Sequence, residues 1–302
     1  MMKSVCVLTL NYGAPQDTIQ YVHNLKQQQG IALSILIIDN CSPDDSYEIF
    51  NTQFSNDEQV TVIQSGRNGG YAFGNNVGLR YLENQAFDFL VISNNDISLD
   101  DDYLLCKLTA GYDDLRRPAF VAPCMYVNGE EDRKHQAWRL PTYWDDVRVS
   151  LRSTYFLGKL LGMTNRYFFP ISDPSTKPVD CLSGSFFMGQ KDTFYQVGLF
   201  DEATFLYGEE AILAQRVKQL GLQNYLIRSL RFHHDWGKTT GRFFSSAKLQ
   251  RYWLESTVYY QRKYNGIGEV KVGFLRLLFW CWRLETKVLS LHGFWSSTKR
   301  QH

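Results

Sequence analysis

The chain has 302 residues, 44% of them hydrophobic and 21% charged, with 32 basic against 31 acidic side chains and a net charge of +1. That apolar content excludes a disordered chain, the length buries a sizeable core in one large α/β domain or two small ones, and the balanced charge leaves no global footprint for nucleic acid. Aromatic residues reach 15%, which suits a surface touching carbohydrate, lipid or protein, or an aromatic core.

The first 125 residues alternate between two periodicities. Residues 5–10 form a continuous apolar run rich in β-formers, and residues 17–29 follow as a helix, with Ile19, Val22 and Leu25 at helical spacing and Gly30 as its stop. A second buried strand over 33–38 ends at Asp39 and Asn40. A helix over 44–54, a strand over 60–63, a helix over 72–82 and a strand over 87–92 come next, the last running into Ser93–Asn94–Asn95–Asp96. Strands and helices joined by short connections predict a mostly parallel sheet covered on both faces, whose ligands bind at the carboxyl ends of the strands. The polar residues gather at those ends.

Residues 126–178 lose this regularity and carry Pro141, Pro170, Pro174 and Pro178, the pattern of a functional loop. Order returns as a strand over 180–189, a helix over 208–221, a strand over 223–227 and a helix over 248–264. The six cysteines are scattered singly, with no C-x-x-C pair, so they read as reduced core thiols of a cytosolic protein rather than as a zinc or redox site. The start of the chain lacks a signal-peptide pattern, and no stretch reaches the roughly 18–20 apolar residues that span a bilayer.

Four segments carry chemistry. In VISNNDISLDDD (91–102), Asp96 follows a buried strand, where a hard oxygen ligand suits Mg or Mn beside a nucleotide diphosphate, although a polar loop with a helix cap explains it as well. RNGGYAFGNNVGL (67–79) permits close backbone approach and offers the amides of Asn68, Asn75 and Asn76, but it is not a Walker loop. In YGEEAILAQR (207–216), Glu209 and Glu210 open a helix. In HHDWGKTTG (233–241), two histidines precede a Gly-rich polar turn.

Taken together and in this order, these segments resemble the family 2 glycosyltransferases, GT-A fold enzymes that move a sugar from a nucleotide diphosphate. The likeness runs from about Val5 to Gly241 through Leu10–Asn11–Tyr12, IIDNCS (37–42), RNGGYAFGNNVGL, SNND (93–96), CLSGSFFMG (181–189), GLFDEATFLYGEEAILAQR (198–216) and HDWGKTT (234–240). The subgroup it looks like contains rhamnosyltransferase-type enzymes of bacterial surface polysaccharide assembly.

The resemblance implies an α/β GT-A fold: a Rossmann-like, mixed but mostly parallel sheet with helices on both faces, plus C-terminal helices. It divides the chain into a catalytic domain, 1–241, and a C-terminal helical extension, 242–302. Within the catalytic domain, 1–125 is the nucleotide-sugar half and 126–241 the acceptor and catalytic half. By position, Asp39 matches the acid that reads the nucleobase, with Asn11 and Tyr12 beside it, while Asn68, Gly70 and Asn76 frame the nucleotide. Asn94, Asn95 and Asp96 fill the family's Asp-x-Asp motif, with Asn94 in place of its first acid. Asp96 and His234 are the implied ligands of a divalent cation, Mn or Mg, with His233 as the alternative to His234. Glu210 falls on the catalytic base, a Glu where Asp is usual, with Glu209 as the alternative, and Ile212 replaces an acid frequent in that helix. Gly184, Ser185 and Trp236 fall on the acceptor side.

The chemistry fits these residue types: a divalent cation stabilises the departing nucleoside diphosphate, and a carboxylate takes the acceptor's proton, so that in-line attack inverts the anomeric centre. The expected function is an inverting, metal-dependent glycosyltransferase moving a sugar from a UDP- or dTDP-sugar, dTDP-rhamnose among them, to a glycan or lipid-linked acceptor. In EVKVGFLRLLFWCWRLETKVLSL (269–291), Arg276, Arg283 and Lys287 fall within about 40° on a helix. The expected location is the cytoplasm, with two alternatives for this helix: packed on the catalytic domain, or lying on an anionic inner-membrane surface. Two other functions compete: a nucleotidyltransferase, which needs a Gly-rich, Lys/Arg-bearing signature where this chain has NYGAPQDTIQ, and a degenerate nucleotide-sugar-binding protein without transferase activity.

Overall fold

A computed structural model describes residues 2–170, 172–234 and 245–291. The predicted alternation appears as β1 (Lys3–Asn11), α1 (Pro15–Leu25), β2 (Ile31–Asp39), α2 (Ser46–Gln53), β3 (Val60–Gln64), α3 (Gly70–Tyr81) and β4 (Phe89–Ser93). A short β5 (Ile97–Ser98) and α4 (Leu104–Asp113) lead into β6 (Pro118–Val127). The irregular middle contains β7 (Glu130–Glu131), β8 (Ala137–Trp138), α5 (Tyr143–Val149), α6 (Arg152–Leu160), β9 (Lys177–Val179) and β10 (Cys181–Leu182). Then come β11 (Phe186–Gln190), α7 (Lys191–Gln196), α8 (Glu209–Gln219), β12 (Gln223–His234), α9 (Ser246–Asn265) and α10 (Glu269–Leu291).

The main sheet runs β3-β2-β1-β4-β11-β6-β12-β5. Strands β1 to β4 are mutually parallel, β11 is antiparallel to both β4 and β6, and β12 runs parallel to β6. Side chains alternate across the strands. Val5 and Val7 join one core with α1, α2 and α4, while Cys6 and Leu8 join the other with α3, α7 and α8. Helices thus cover both faces, as the sequence predicts.

Three expectations change. The strand β6 adds to the predicted elements, and its two prolines sit where a sheet tolerates them. Pro118 opens the strand, and opposite Pro123 the partner β12 shifts register, Ile227 pairing with Pro123 and Arg231 with Cys124. The single strand expected over 180–189 is two: β10 pairs β8 in a separate two-stranded sheet and β11 enters the main sheet, divided by Ser183–Gly184–Ser185. Of the cysteines, all free, Cys6, Cys124 and Cys181 are buried, but Cys41 is exposed at a positive φ of 55°, outside the core.

The last helices pack on the rest. Ser256 on α9 donates to the Leu206 carbonyl at 3.0 Å, and Gln261 donates to Asp146 on α5 at 2.6 Å. Val272 and Leu275 of α10 are fully buried, and Phe279 meets Trp253 with ring centroids 4.6 Å apart. No helix among the described residues is long and apolar enough to cross a membrane.

Burial pushes the Asp146 carboxyl from 3.8 up to about 7, against the Gln261 hydrogen bond that lowers it. The folded chain therefore holds a proton that the unfolded chain has already released, and stability falls as pH rises from about 4 through about 7. Asp146→Asn keeps an acceptor for Gln261 and removes the ionisation. Its melting temperature should match wild type near pH 4 and exceed it by several degrees at pH 8, since 1 kcal/mol moves Tm by about 2–4 °C in a domain of this order. Equal shifts at both pH values would show that Asp146 is not the titrating group.

Candidate active site at the carboxyl edge of the sheet

Strand β1 is flanked by β2 and β4, the switch in strand order at which open α/β sheets bind ligands. Asn11 and Asp39 are partners in the β1–β2 register at that edge. Asp39 is 0% exposed. Its Oδ1 accepts from Asn11 Nδ2 at 3.1 Å and Ser42 Oγ at 2.5 Å, and its Oδ2 accepts from the Ser42 amide at 3.1 Å and Gln64 Nε2 at 3.4 Å. Below, Thr18 donates to Asn11 Oδ1 at 2.9 Å and Asn95 donates to Thr18 at 2.8 Å. Tyr12 is half-buried at the same edge, whereas Asn95 lies buried in the network.

The Gly-rich segment serves the loop that follows α7. Asn68 Oδ1 accepts from the Gly70 amide at 3.1 Å and Asn40 Nδ2 at 3.2 Å. Gly70 has φ +87°, and a Cβ there would sit 2.0 Å from the Phe205 carbonyl oxygen, so only glycine lets the loop dock. Asn76 points to that same loop: its amide donates to the Phe200 carbonyl at 3.0 Å and to Glu202 at 2.8 Å, and accepts from the Phe200 amide at 2.9 Å. Asn76 thereby braces the approach to α8.

On the other side of the switch point, Asp96 Oδ1 lies 3.4 Å from His234 Nε2, and Asn94 Nδ2 lies 3.5 Å from the same nitrogen. The pairing of β12 with β5 sets His234 opposite Ile97 and His233 opposite Ser98. Neighbouring strand residues face opposite ways. His233 accordingly turns to Asp100, at 2.6 Å, and to the Tyr126 ring, which leaves His234 as the histidine facing Asp96. Oxygen and nitrogen ligands at about 2.0–2.2 Å from one cation stand about 3.0–3.5 Å apart when adjacent, so the Asp96–His234 spacing fits a shared divalent ion. Among the described residues no group of three or more His, Cys, Asp or Glu could hold a metal. A two-residue set suits Mg or Mn, which take remaining oxygens from substrate phosphate and water.

The third component is the start of α8, capped by Gly208 at φ 85°. Glu209 is 3% exposed, and its Oε1 has no hydrogen-bond partner among the described residues. Glu210 is half-buried and approaches the turn between β10 and β11: a Cβ on Gly184 would lie 3.1 Å from Glu210 Oε1 and 3.1 Å from the Tyr71 hydroxyl. Tyr71 donates to the Gly184 carbonyl at 2.5 Å. Burial raises the Glu210 carboxyl, while backbone N–H groups of Glu210 and Gly184 and the Arg166 guanidinium hold it down. Burial, then the neighbouring Glu210 charge, push Glu209 well above the carboxylate range. Beyond the turn, the Ser185 carbonyl accepts from the Asn94 amide at 2.8 Å, so one turn joins the base candidate to the metal candidate.

Sequence reasoning missed Tyr71 and Arg166. Tyr71 lies inside the quoted Gly-rich segment, but its ring carried no motif. Arg166 lies in the irregular 126–178 segment, and its partner Trp138 is distant in sequence. Trp236 and the rest of 235–244 lie outside the described residues.

Residues 4–198 match glycosyl transferase family 2, and the chain belongs to that family. A low-salt glycan biosynthesis hexosyltransferase, Agl10, of Haloferax volcanii is 24% identical over 220 residues, 72% of this chain; the match spans 63% of that protein's length. The N-acetylglucosaminyl-diphospho-decaprenol L-rhamnosyltransferase of Mycobacterium tuberculosis is 24% identical over 248 residues, 78% of this chain and 77% of the relative. Among solved structures, GalNAc-T7 with UDP, GalNAc and Mn2+ superposes with TM-score 0.62 at 15% identity, over 87% of this chain and 49% of that one. The mannosyltransferase PcManGT of Pyrobaculum calidifontis, with GDP-Man and Mn2+, gives 0.58 at 12% identity, over 98% and 77%. The fold is GT-A.

The crowding at Gly184 yields a test. Gly184→Ala forces the Glu210 carboxylate and the Tyr71 hydroxyl apart by a few tenths of an ångström without disturbing the core. Displacements of this kind cost up to about 10²-fold in rate when they move a reacting group. Nucleotide-sugar turnover should fall by about tenfold or more at nearly constant Tm. Equal loss of stability and turnover would mean that the turn is a folding element only.

Proposed function

We propose that this chain is an inverting glycosyltransferase that moves a sugar from a UDP- or dTDP-sugar, dTDP-rhamnose among the candidates, to a glycan or lipid-linked acceptor of bacterial surface polysaccharide. One observation carries the reading: the 183–185 turn has Glu210 against Gly184 on one side and Asn94, with Asp96 and His234, against Ser185 on the other. The names of the relatives, one acting on a diphospho-decaprenol acceptor, support the same class.

In this reading Asp39 accepts the N3–H of uracil or thymine in place of the exposed Gln64, its longest contact. Asp96 and His234, with Asn94, hold a divalent cation, Mn or Mg, which supplies Lewis-acid stabilisation of the departing diphosphate. Glu210 accepts the acceptor hydroxyl's proton, and Tyr71 fixes the turn against which its carboxylate rests. Residues 1–241 form the catalytic domain and 242–302 an extension. The sorting experiment is turnover of a nucleotide-sugar panel with and without Mn. Glu210→Gln keeps the side chain's volume but cannot take the proton, so turnover should fall roughly 10²-fold or more with donor affinity retained. Glu209→Gln should lose much less. The reverse order would move the base to Glu209, and no turnover of any UDP- or dTDP-sugar would end the proposal.

The extension serves an anionic membrane surface in this proposal. On α10, Val270, Phe274, Leu277 and Leu284 are exposed on the side roughly opposite Val272, Leu275 and Phe279, with exposed Arg276 and Arg283 along its margin. Both sequence alternatives therefore apply to one helix, packed on one face and apolar on the other. Each Lys or Arg near such a surface is worth about 1 kcal/mol. Arg276→Glu combined with Arg283→Glu should cut co-sedimentation with phosphatidylglycerol vesicles by about tenfold or more. Unchanged sedimentation would refute the membrane role.

A further inference from the structure

The segment between α6 and β9 contains a cation whose surroundings the family likeness leaves unexplained. Arg166 forms an isolated antiparallel bridge with Trp138, and its guanidinium lies over the Trp138 ring, 5.3 Å from the centroid. Trp138 is the register partner of Cys181 and packs against a cluster that contains Ala211 and Ile212, the residues directly after Glu210 on α8. Arg166 is thereby held beside the candidate base. It is half-buried, and among the described residues it has no carboxylate within ion-pair distance and no hydrogen bond from its guanidinium. Burial disfavours its charge and the more distant carboxylates of Asp132 and Glu210 favour it, while its fork of donors makes no hydrogen bond among the described residues and can accept an arriving anion. A guanidinium presents a flat fork of donors that matches phosphate oxygens, and an aromatic ring beneath it fixes the plane of that fork.

The chain leading to Arg166 is apolar and uncovered. Leu160 and Leu161 are 74% and 65% exposed, and Leu157 and Met163 are each 54% exposed. A cation beside the base, approached across an apolar ledge, matches an amphiphilic anion better than a free sugar.

We infer that Arg166, laid on Trp138, binds the phosphate of an acceptor carried on a hydrophobic tail, and that the exposed 157–163 ledge receives the start of that tail. The inference rests on the glycosyl-transfer reading and names its acceptor class. Bound phosphate would sit beside Glu210 and direct the acceptor's hydroxyl toward it. Arg166 already lowers the Glu210 proton affinity electrostatically, so a role confined to tuning that carboxylate is the rival explanation.

Calorimetry on the full chain saturated with UDP and Mg separates these. The probes are geranylgeranyl diphosphate, geranylgeraniol and inorganic pyrophosphate. Wild type should bind the isoprenoid diphosphate at least tenfold tighter than either other probe. Arg166→Ala should weaken it tenfold or more, Trp138→Leu should weaken it less, and Arg166→Lys should retain part of the affinity. UDP affinity and Tm measured on each variant report whether the donor half remains folded. Three results overturn the inference: no binding of the isoprenoid diphosphate to wild type, equal affinity for the diphosphate and the alcohol, or Arg166→Ala affinity equal to wild type with only the pH profile of turnover displaced. Equal affinity for inorganic pyrophosphate would remove the tail and so overturn the lipid-acceptor class. Loss of diphosphate binding in Arg166→Ala alongside a wild type that turns over no nucleotide sugar would instead defeat the function proposed above and leave the phosphate site standing.

Discussion

The hydrogen bond from the Asn94 amide to the Ser185 carbonyl, 2.8 Å long, fixes where the two halves of this site meet. It exists because β11 runs against β4, pairing Phe186 with Ser93, so that β11 begins where β4 ends. A parallel strand in that place would carry its first residues to the opposite edge. The turn before β11 is braced by the Ser183–Ser185 hydroxyl pair at 2.9 Å and by Tyr71. From this junction Asp96 lies two residues beyond Asn94, and Glu210 is pressed against Gly184. The antiparallel strand β11, set between β4 and β6, is thus what brings a carboxylate from α8 to the carboxyl edge of β1, β2 and β4.

Beneath that edge the polar groups form a connected layer. Asp39, Ser42, Asn11, Thr18 and Asn95 exchange hydrogen bonds in sequence, and Tyr21 meets Ser93 at 2.6 Å on the same side of the sheet. Removing one member of a buried network leaves its partners unsatisfied, at about 1–3 kcal/mol for each group. The layer therefore holds the strand ends in place, with Asn95 buried within it. Asn76 acts comparably on the other face through Phe200 and Glu202.

Local pattern made the first 125 residues legible. Buried strands such as residues 33–38 announce themselves by continuous apolar runs, and the polar strand ends follow from topology alone. Helix α8 and the placement of Glu209 and Glu210 on its first turn were equally visible. What stayed hidden depends on partners far along the chain. The proline-bearing β6 needs β11 and β12 to be a strand at all. The division of 180–189 depends on β8, and Arg166 acquires meaning only when Trp138 comes beneath it. The choice of His234 over His233 needed the register with β5, because adjacent strand residues diverge and the sequence does not say which way each turns. Asn75 and Asn76 illustrate the converse limit. Their amides looked alike in a Gly-rich segment, yet Asn75 donates to its own helix at Tyr71 while Asn76 braces a loop.

The two glutamates at the start of α8 lie where burial penalises charge. Both carboxyls are raised by it, and the Glu210 charge raises Glu209 further. The two differ in the donors available to each. Glu209 has its own backbone N–H to lower its proton affinity and keeps Oε1 without a hydrogen bond among the described residues. Glu210 has its own N–H, the Gly184 N–H and the Arg166 guanidinium. More groups therefore hold the proton affinity of Glu210 down than hold that of Glu209. A base must be ionised, yet its proton affinity must be high enough to capture a hydroxyl proton, and burial opposed by a few donors sets such an intermediate value. Burial is what makes Glu210 hold a negative charge more weakly than an exposed carboxylate would, and so take up a proton more readily.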